Sequence, residues 1–191
     1  MQPYSHANEI RVGNIAGVIT WPAKSYEDSR GIFFKPFSKL DLDEYQVDFD
    51  TVEHFFTVSK KNVFRGMHFQ DSPHSAAKII SIVKGRVIDY LLDLRPNSKT
   101  YLTLQIIELS GREPSSIYIP SGIAHGYLSN EDDSIVSYRQ NALFCPNCDY
   151  GVSWQIIRNF LRIDHETMII SERDQDLMGL GSLNIRKDCD N

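Results

Sequence analysis

Short runs of β-branched and aromatic residues recur along the chain at 18–20, 31–34, 52–58, 78–83, 86–94, 101–109, 116–120 and 134–138, each separated from the next by Gly, Pro, Asn or Ser. Runs this short are strands rather than helices, and so many of them predict an all-β chain, an antiparallel sandwich or barrel. Residues 78–109, KIISIVKGRVIDYLLDLRPNSKTYLTLQIIEL, read as a strand, a turn at Gly85, a long strand, a turn at Pro96-Asn97-Ser98 and a third strand. Helical pattern is scarce. Residues 38–45 fit one or two turns with Ser38 as N-cap and Asp41 in the first turn, and 155–161 is a second short candidate.

At 191 residues with 41% apolar and 24% charged composition, the chain reads as one folded domain over 1–191. A chain of this size buries roughly 70% of its unfolded surface, so neither disulfides nor a structural metal are needed to hold it together. No repeat of 20 to 50 residues is visible, and only the tail after about residue 180, with Gly181, Asn184 and Asp188, looks loosely held. Three cysteines, Cys145, Cys148 and Cys189, give no disulfide framework and read as reduced thiols of a cytoplasmic protein. A net charge of −5 argues against a binder of nucleic-acid phosphates. The first residues lack the basic and apolar regions of a signal peptide, and residues 15–21 are interrupted by Gly17 and Thr20, so no membrane segment is expected.

Several motifs carry chemistry-capable side chains, and taken singly each also has an ordinary structural reading. In FRGMHFQ, Arg65 and His68 are three residues apart; on a regular strand they point to opposite faces unless a bulge intervenes, and a lone His is commonly satisfied by backbone. Lys78 opens a buried-looking run and could simply snorkel. Asp93 suits a turn-capping acid, Tyr138 an interior phenol with its hydroxyl tied off, and Asp174 a surface acid. His125 follows the Pro120-Ser121-Gly122 turn on a strand whose pattern turns its ring inward. A jelly-roll metal site usually offers an H-x-H pair, whereas Phe69 and Gln70 follow His68, so no metal is expected. Cys145-Pro146-Asn147-Cys148 is half of a zinc ribbon or a lone redox pair, and reads most simply as two thiols in a loop.

As an ordered set these residues say more. FRGMHFQ, then Pro73 and Lys78 in a P-x-x-x-x-K spacing, DLRPNSKTY, IPSGIAHGYL, SYRQNALFCP, GVSW and IISERD together resemble the dTDP-4-dehydrorhamnose 3,5-epimerase family, in its order and with similar spacing from about Asp28 to Asp174. The resemblance implies a cupin jelly roll, a homodimer, no metal and no cofactor. It also implies a nucleoside-diphosphate 4-keto-6-deoxy sugar as substrate, in deoxysugar biosynthesis for surface polysaccharide such as lipopolysaccharide O-antigen. The C4 ketone acidifies the hydrogens at C3 and C5, so a base removes one, an enolate forms, and a proton returned on the other face inverts the centre. By the resemblance His68 is the base, Asp174 orients it, Lys78 holds the enolate oxygen and Tyr138 returns the proton. Arg65 and Arg30 match positions near the nucleotide's phosphates and base, and His125 matches an interior histidine facing the sugar. Phe33 also falls among the substrate-binding positions.

Departures from the family pattern matter as well. A second tyrosine often follows the first by six positions; here it is Phe144, which keeps the ring and loses the hydroxyl, so inversion at C3 alone is favoured over full 3,5-epimerisation. Positions that contact thymine align with Lys35, Glu53 and Phe55, which opens the nucleotide to CDP or GDP as well as dTDP, and Ala76 replaces a usual glutamine. Two other readings stand beside this one: a non-catalytic cupin that binds a sugar or nucleotide, and a metal-dependent cupin oxygenase or isomerase, opposed by the missing H-x-H pair. A 3,4-ketoisomerase is the neighbouring enzyme reading.

Overall fold

The computed structural model describes residues 10–182; Cys189 and the tail beyond 182 lie outside the described residues. Among the described residues there are thirteen strands: β1 Arg11–Val12, β2 Ile19–Pro22, β3 Lys24–Asp28, β4 Gly31–Lys35, β5 Glu53–Ser59, β6 Phe64–Gln70, β7 Lys78–Lys84, β8 Arg86–Asp93, β9 Thr103–Ser110, β10 Ser115–Ile119, β11 Ile123–Ser129, β12 Ser134–Gln140 and β13 Asp149–Gly151. They form a six-stranded sheet in the order β1-β9-β8-β11-β6-β13, a five-stranded sheet in the order β2-β10-β7-β12-β5, and a separate hairpin of β3 and β4. The pairing is antiparallel except between β1 and β9. This is the sandwich architecture expected from the spacing of the runs.

Period-2 alternation distributes side chains between three apolar clusters. Between the sheets lie Ile80, Ile82, Val87, Leu91, Ile123, Tyr127, Val136 and Tyr138. The outer face of the six-stranded sheet, with Ile88, Tyr90, Leu92 and Leu128, is covered by the chain after β13, including Trp154 and Phe160. Outside the five-stranded sheet, Ile79 and Ala77 pack with Leu42 of helix α1, Lys39–Glu44. Strands buried on both faces read as unbroken apolar runs, which is why KIISIV and VIDYLLDL show little alternation.

The helix candidates resolve in part. Ser38 caps α1, its Oγ accepting from the Leu40 N–H at 3.2 Å. The second candidate is a 3₁₀ helix, Trp154–Phe160, capped by Ser153. A short helix α2, Glu172–Gln175, carries Asp174 and had no sequence signal strong enough to mark it. Asp93 is the turn acid anticipated: its carboxylate accepts from Arg95 Nε at 2.8 Å, Ser98 Oγ at 2.6 Å and Thr100 Oγ1 at 2.7 Å. No described helix is long and apolar enough to cross a membrane.

Candidate active site

At one end of the sandwich the two sheets part around a cavity of about 470 Å³, within the range of small-ligand sites. Its walls bring together Arg65, His68 and Gln70 from β6, His125 from β11, Lys78 from β7, Tyr138 and Gln140 from β12, and Glu53, Phe55 and Thr57 from β5. Phe144, Asp149, Ser171, Arg173 and Asp174 complete the lining, with Arg173 donating to the Asp149 carboxylate. Nine of the residues that the sequence put at the site meet here: His68, Asp174, Tyr138, Lys78, Arg65, His125, Phe144, Glu53 and Phe55.

Arg30 and Phe33 do not. Both lie on the β3–β4 hairpin, which lines its own shallow hollow with Tyr26, Asp28 and Ile32, and neither reaches the cavity of its own chain. A two-stranded hairpin outside both sheets carries them away from it within one chain. Arg30 pairs instead with Asp28, Nε to Oδ1 at 3.1 Å. Lys35, at the end of the same hairpin, is likewise absent from the cavity wall.

Arg65 and His68 share a face because β6 bulges at Gly66. Phe64, Met67 and Phe69 enter the outer core while Arg65, His68 and Gln70 line the cavity, a parity change that falls on Gly66. Gly66 has φ +133°, and a Cβ there would lie 2.4 Å from Gly126 Cα and 2.9 Å from the His125 carbonyl oxygen. The pairing of β6 with β11 shifts register opposite this point, between His125 and Tyr127. Only glycine fits such an approach with such a φ.

His68 Nε2 lies 2.7 Å from Asp174 Oδ1, and Asp174 Oδ2 accepts the Gly66 N–H at 3.1 Å. The bulge thus also supplies the amide that fixes the carboxylate. Burial pushes the Asp174 carboxyl up, but the His68 hydrogen bond, its charge and the Gly66 amide outweigh it and hold the group below the usual range. With Asp174 ionised, His68 donates from Nε2–H and keeps Nδ1 as the nitrogen able to take a proton.

On the facing sheet, burial lowers Lys78 to about 8, opposed in part by the Asp149 carboxylate. Tyr138, 7% exposed, is pushed well above the usual phenol range, first by burial and then by Tyr127 and Asp89. Its ring stacks on Phe55 at 5.0 Å with 5° between planes, and His125 meets its edge at 5.9 Å. The site therefore sets His68 of β6, paired with Asp174 of α2, against a protonated phenol and a poised ammonium on the five-stranded sheet.

Glu53 has a role the sequence did not suggest: its Oε2 accepts from the Phe144 N–H at 3.1 Å and from Gln140 Nε2 at 3.3 Å, tying the Phe144 loop to β5 and β12. Asp89 was missed altogether. It is fully buried, its Oδ2 stands 3.4 Å from His125 Nε2, and neither carboxylate oxygen has a hydrogen-bond partner among the described residues. A carboxylate in mid-strand, inside an apolar run, offers no sequence signal beyond its own polarity.

The dTDP-4-dehydrorhamnose 3,5-epimerase family matches the chain over residues 13–181. The chain belongs to that family. It is 31% identical over 169 residues to the dTDP-4-dehydrorhamnose 3,5-epimerase of Methanothermobacter thermautotrophicus, covering 85% of this chain and 89% of the relative. To the enzyme of the same name from Escherichia coli it is 31% identical over 182 residues, covering 92% and 96%. Among solved structures, the dTDP-6-deoxy-D-glucose-3,5-epimerase of Legionella pneumophila in complex with dTDP-4-keto-L-rhamnose superposes with TM-score 0.81 at 26% identity, covering 92% of this chain and 94% of that one. This epimerase-family chain is thus an isomerase built on the cupin jelly roll that its motifs implied.

Proposed function

We propose that this family member epimerises a nucleotide-linked 4-keto-6-deoxyhexose, with inversion at C3 favoured, in deoxysugar biosynthesis. The observation that carries the reading is the His68–Asp174 pair at 2.7 Å facing Lys78 and Tyr138 across one cavity. In this reading His68 Nδ1 takes the proton from C3, and the electrons move into an enolate whose oxygen at C4 is held by the Lys78 ammonium. Tyr138 gives its proton to C3 from the opposite face, and the C4 ketone re-forms. His68 then loses its proton to water and Tyr138 regains one, so solvent hydrogen enters the product. Asp174 stabilises the imidazolium between the two transfers. The chemistry needs no redox partner, because the substrate's ketone supplies the acidity.

Arg65 stands at the cavity with Nε donating to Ser59 Oγ at 3.0 Å, a side chain fit for a diphosphate. The ligand named for the Legionella relative makes dTDP the first nucleotide to test. Glu53 and Phe55 are the residues at hand to contact a base within this chain, while Lys35 is not. Full 3,5-epimerisation is the second reading, favoured by the names of the curated relatives. Phe144 is what separates the two, since no hydroxyl at that position can assist at C5.

Homodimerisation belongs to the same proposal. Tyr26, Ile32 and Phe33 are 71%, 54% and 59% exposed on the hairpin, an apolar surface suited to a second copy. If Arg30 contacts nucleotide, it does so in the partner's cavity, since it cannot reach its own.

The test is product analysis by NMR after separate incubation with dTDP-, CDP- and GDP-4-keto-6-deoxyglucose. Inversion at C3 with one of them supports the reading, and inversion at both C3 and C5 supports the second. Unchanged substrate in all three refutes both.

A further inference from the structure

Beside the cavity, two loops meet around a set of soft ligands that the reaction does not use. The connection from β6 to β7 carries His74, and the connection from β12 to β13 carries Cys145 and Cys148. Each offers one ligand atom, and the three atoms lie within 4.8 Å of one another. In the sequence the two cysteines read as plain loop thiols because a C-x-x-C pair lacks further ligands; the fold brings His74 to them from 71 residues away.

The backbone under all three is pinned. Gln70, 3% exposed, donates from Nε2 to the His74 carbonyl at 2.9 Å and to the Leu143 carbonyl at 3.2 Å, while its Oε1 accepts the Cys145 N–H at 2.8 Å. The Cys148 N–H closes the Cys-Pro-Asn-Cys turn on the Cys145 carbonyl at 2.9 Å, and the Asp71 N–H reaches the Cys148 carbonyl at 3.0 Å. One buried amide therefore sets His74 against both cysteines. Tetrahedral zinc with Zn–S near 2.3 Å spaces its sulfurs by about 3.8 Å, so the cluster needs to contract by only about 1 Å to close on the ion. Side-chain rotation covers that.

We propose that His74, Cys145 and Cys148 bind one soft divalent cation, zinc in preference to magnesium or calcium, with water in the fourth position. Two thiolates and an imidazole select zinc over the hard cations, which take oxygen ligands. The ion clips the loop that leads into Lys78 to the loop that carries Phe144, so it braces the cavity rim without touching the ketone chemistry. The proposal stands apart from the epimerase reading and is tested by binding rather than by turnover.

The protein, purified under reductant without chelator, is titrated with Zn²⁺ and separately with Co²⁺, then desalted and analysed for metal. About one equivalent per chain is expected, with thiolate-to-cobalt charge-transfer bands for Co²⁺. Because Cys148 is buried and Cys148→Ser risks misfolding, the exposed His74→Ala is the second variant; it should weaken zinc binding about tenfold or more. Failure to retain metal overturns the proposal. So does zinc affinity unchanged in His74→Ala, or a Cys145–Cys148 disulfide in the reduced preparation.

Discussion

Lys78 couples function to stability most directly. The unfolded chain holds this proton to about 10.5 and the folded chain only to about 8, because burial disfavours the ammonium. The unfolded state thus binds more protons between those values, and stability rises with pH across that interval. Lys78→Met is expected to lower kcat about 10²–10³-fold by removing the enolate's partner, and to raise stability at pH 7 by up to about 3 kcal/mol, read as a higher Tm. A lower Tm would contradict the burial account. The rate of the wild-type enzyme should fall as pH rises through about 8, and Asp149→Asn should move that fall to lower pH, since Asp149 is the charge that raises Lys78. His68, Lys78, Tyr138 and Asp174 were legible in the sequence only as an ordered set, since singly each had an ordinary structural reading. Asp89 was not: in a strand buried on both faces, a lone carboxylate within the apolar run does not say which face it serves.

At the scale of single elements, the proposed specificity rests on β6 and the Phe144 loop. Gly66→Ala would force a Cβ into the β11 backbone, where Gly126 Cα would lie 2.4 Å away. Destabilisation of about 2 kcal/mol or more is expected in denaturant melts, with loss of turnover in the protein that remains folded because His68 is displaced from Asp174. Full activity in a stable Gly66→Ala would remove the bulge from the account. Phe144→Tyr should add deuterium exchange at C5 to that at C3, and no gain at C5 would mean that another residue sets the position of attack. Most strands were visible as runs between turn residues. The bulge was not, because it depends on how closely β11 approaches, a contact 60 residues distant along the chain.

At the scale of the molecule, the β3–β4 hairpin is the element that a single chain leaves unused. Phe33→Asp is expected to convert the proposed dimer to monomer in sedimentation velocity, with a loss of affinity for nucleotide sugar. Mixing Arg30→Ala with His68→Asn should restore activity that neither has alone, since one cavity of the mixed dimer would then hold both wild-type residues. No restoration would confine Arg30 to a structural role. The order of motifs along the sequence implied the jelly roll that is observed, and most of the residues it named line one cavity, while Arg30 and Phe33 lie on the hairpin apart from it. Linear spacing carries no information on which copy of a chain a hairpin serves.

In the proposed reaction His68, held by Asp174, moves a proton at the carbon beside the C4 ketone. The most direct test is deuterium wash-in from D₂O into dTDP-4-keto-6-deoxyglucose, followed by NMR for the wild type and for His68→Asn of matched Tm. Deuterium at C3 is expected with the wild type, and wash-in slowed about 10²-fold or more with the variant. Undiminished wash-in from a folded His68→Asn would contradict that role of His68.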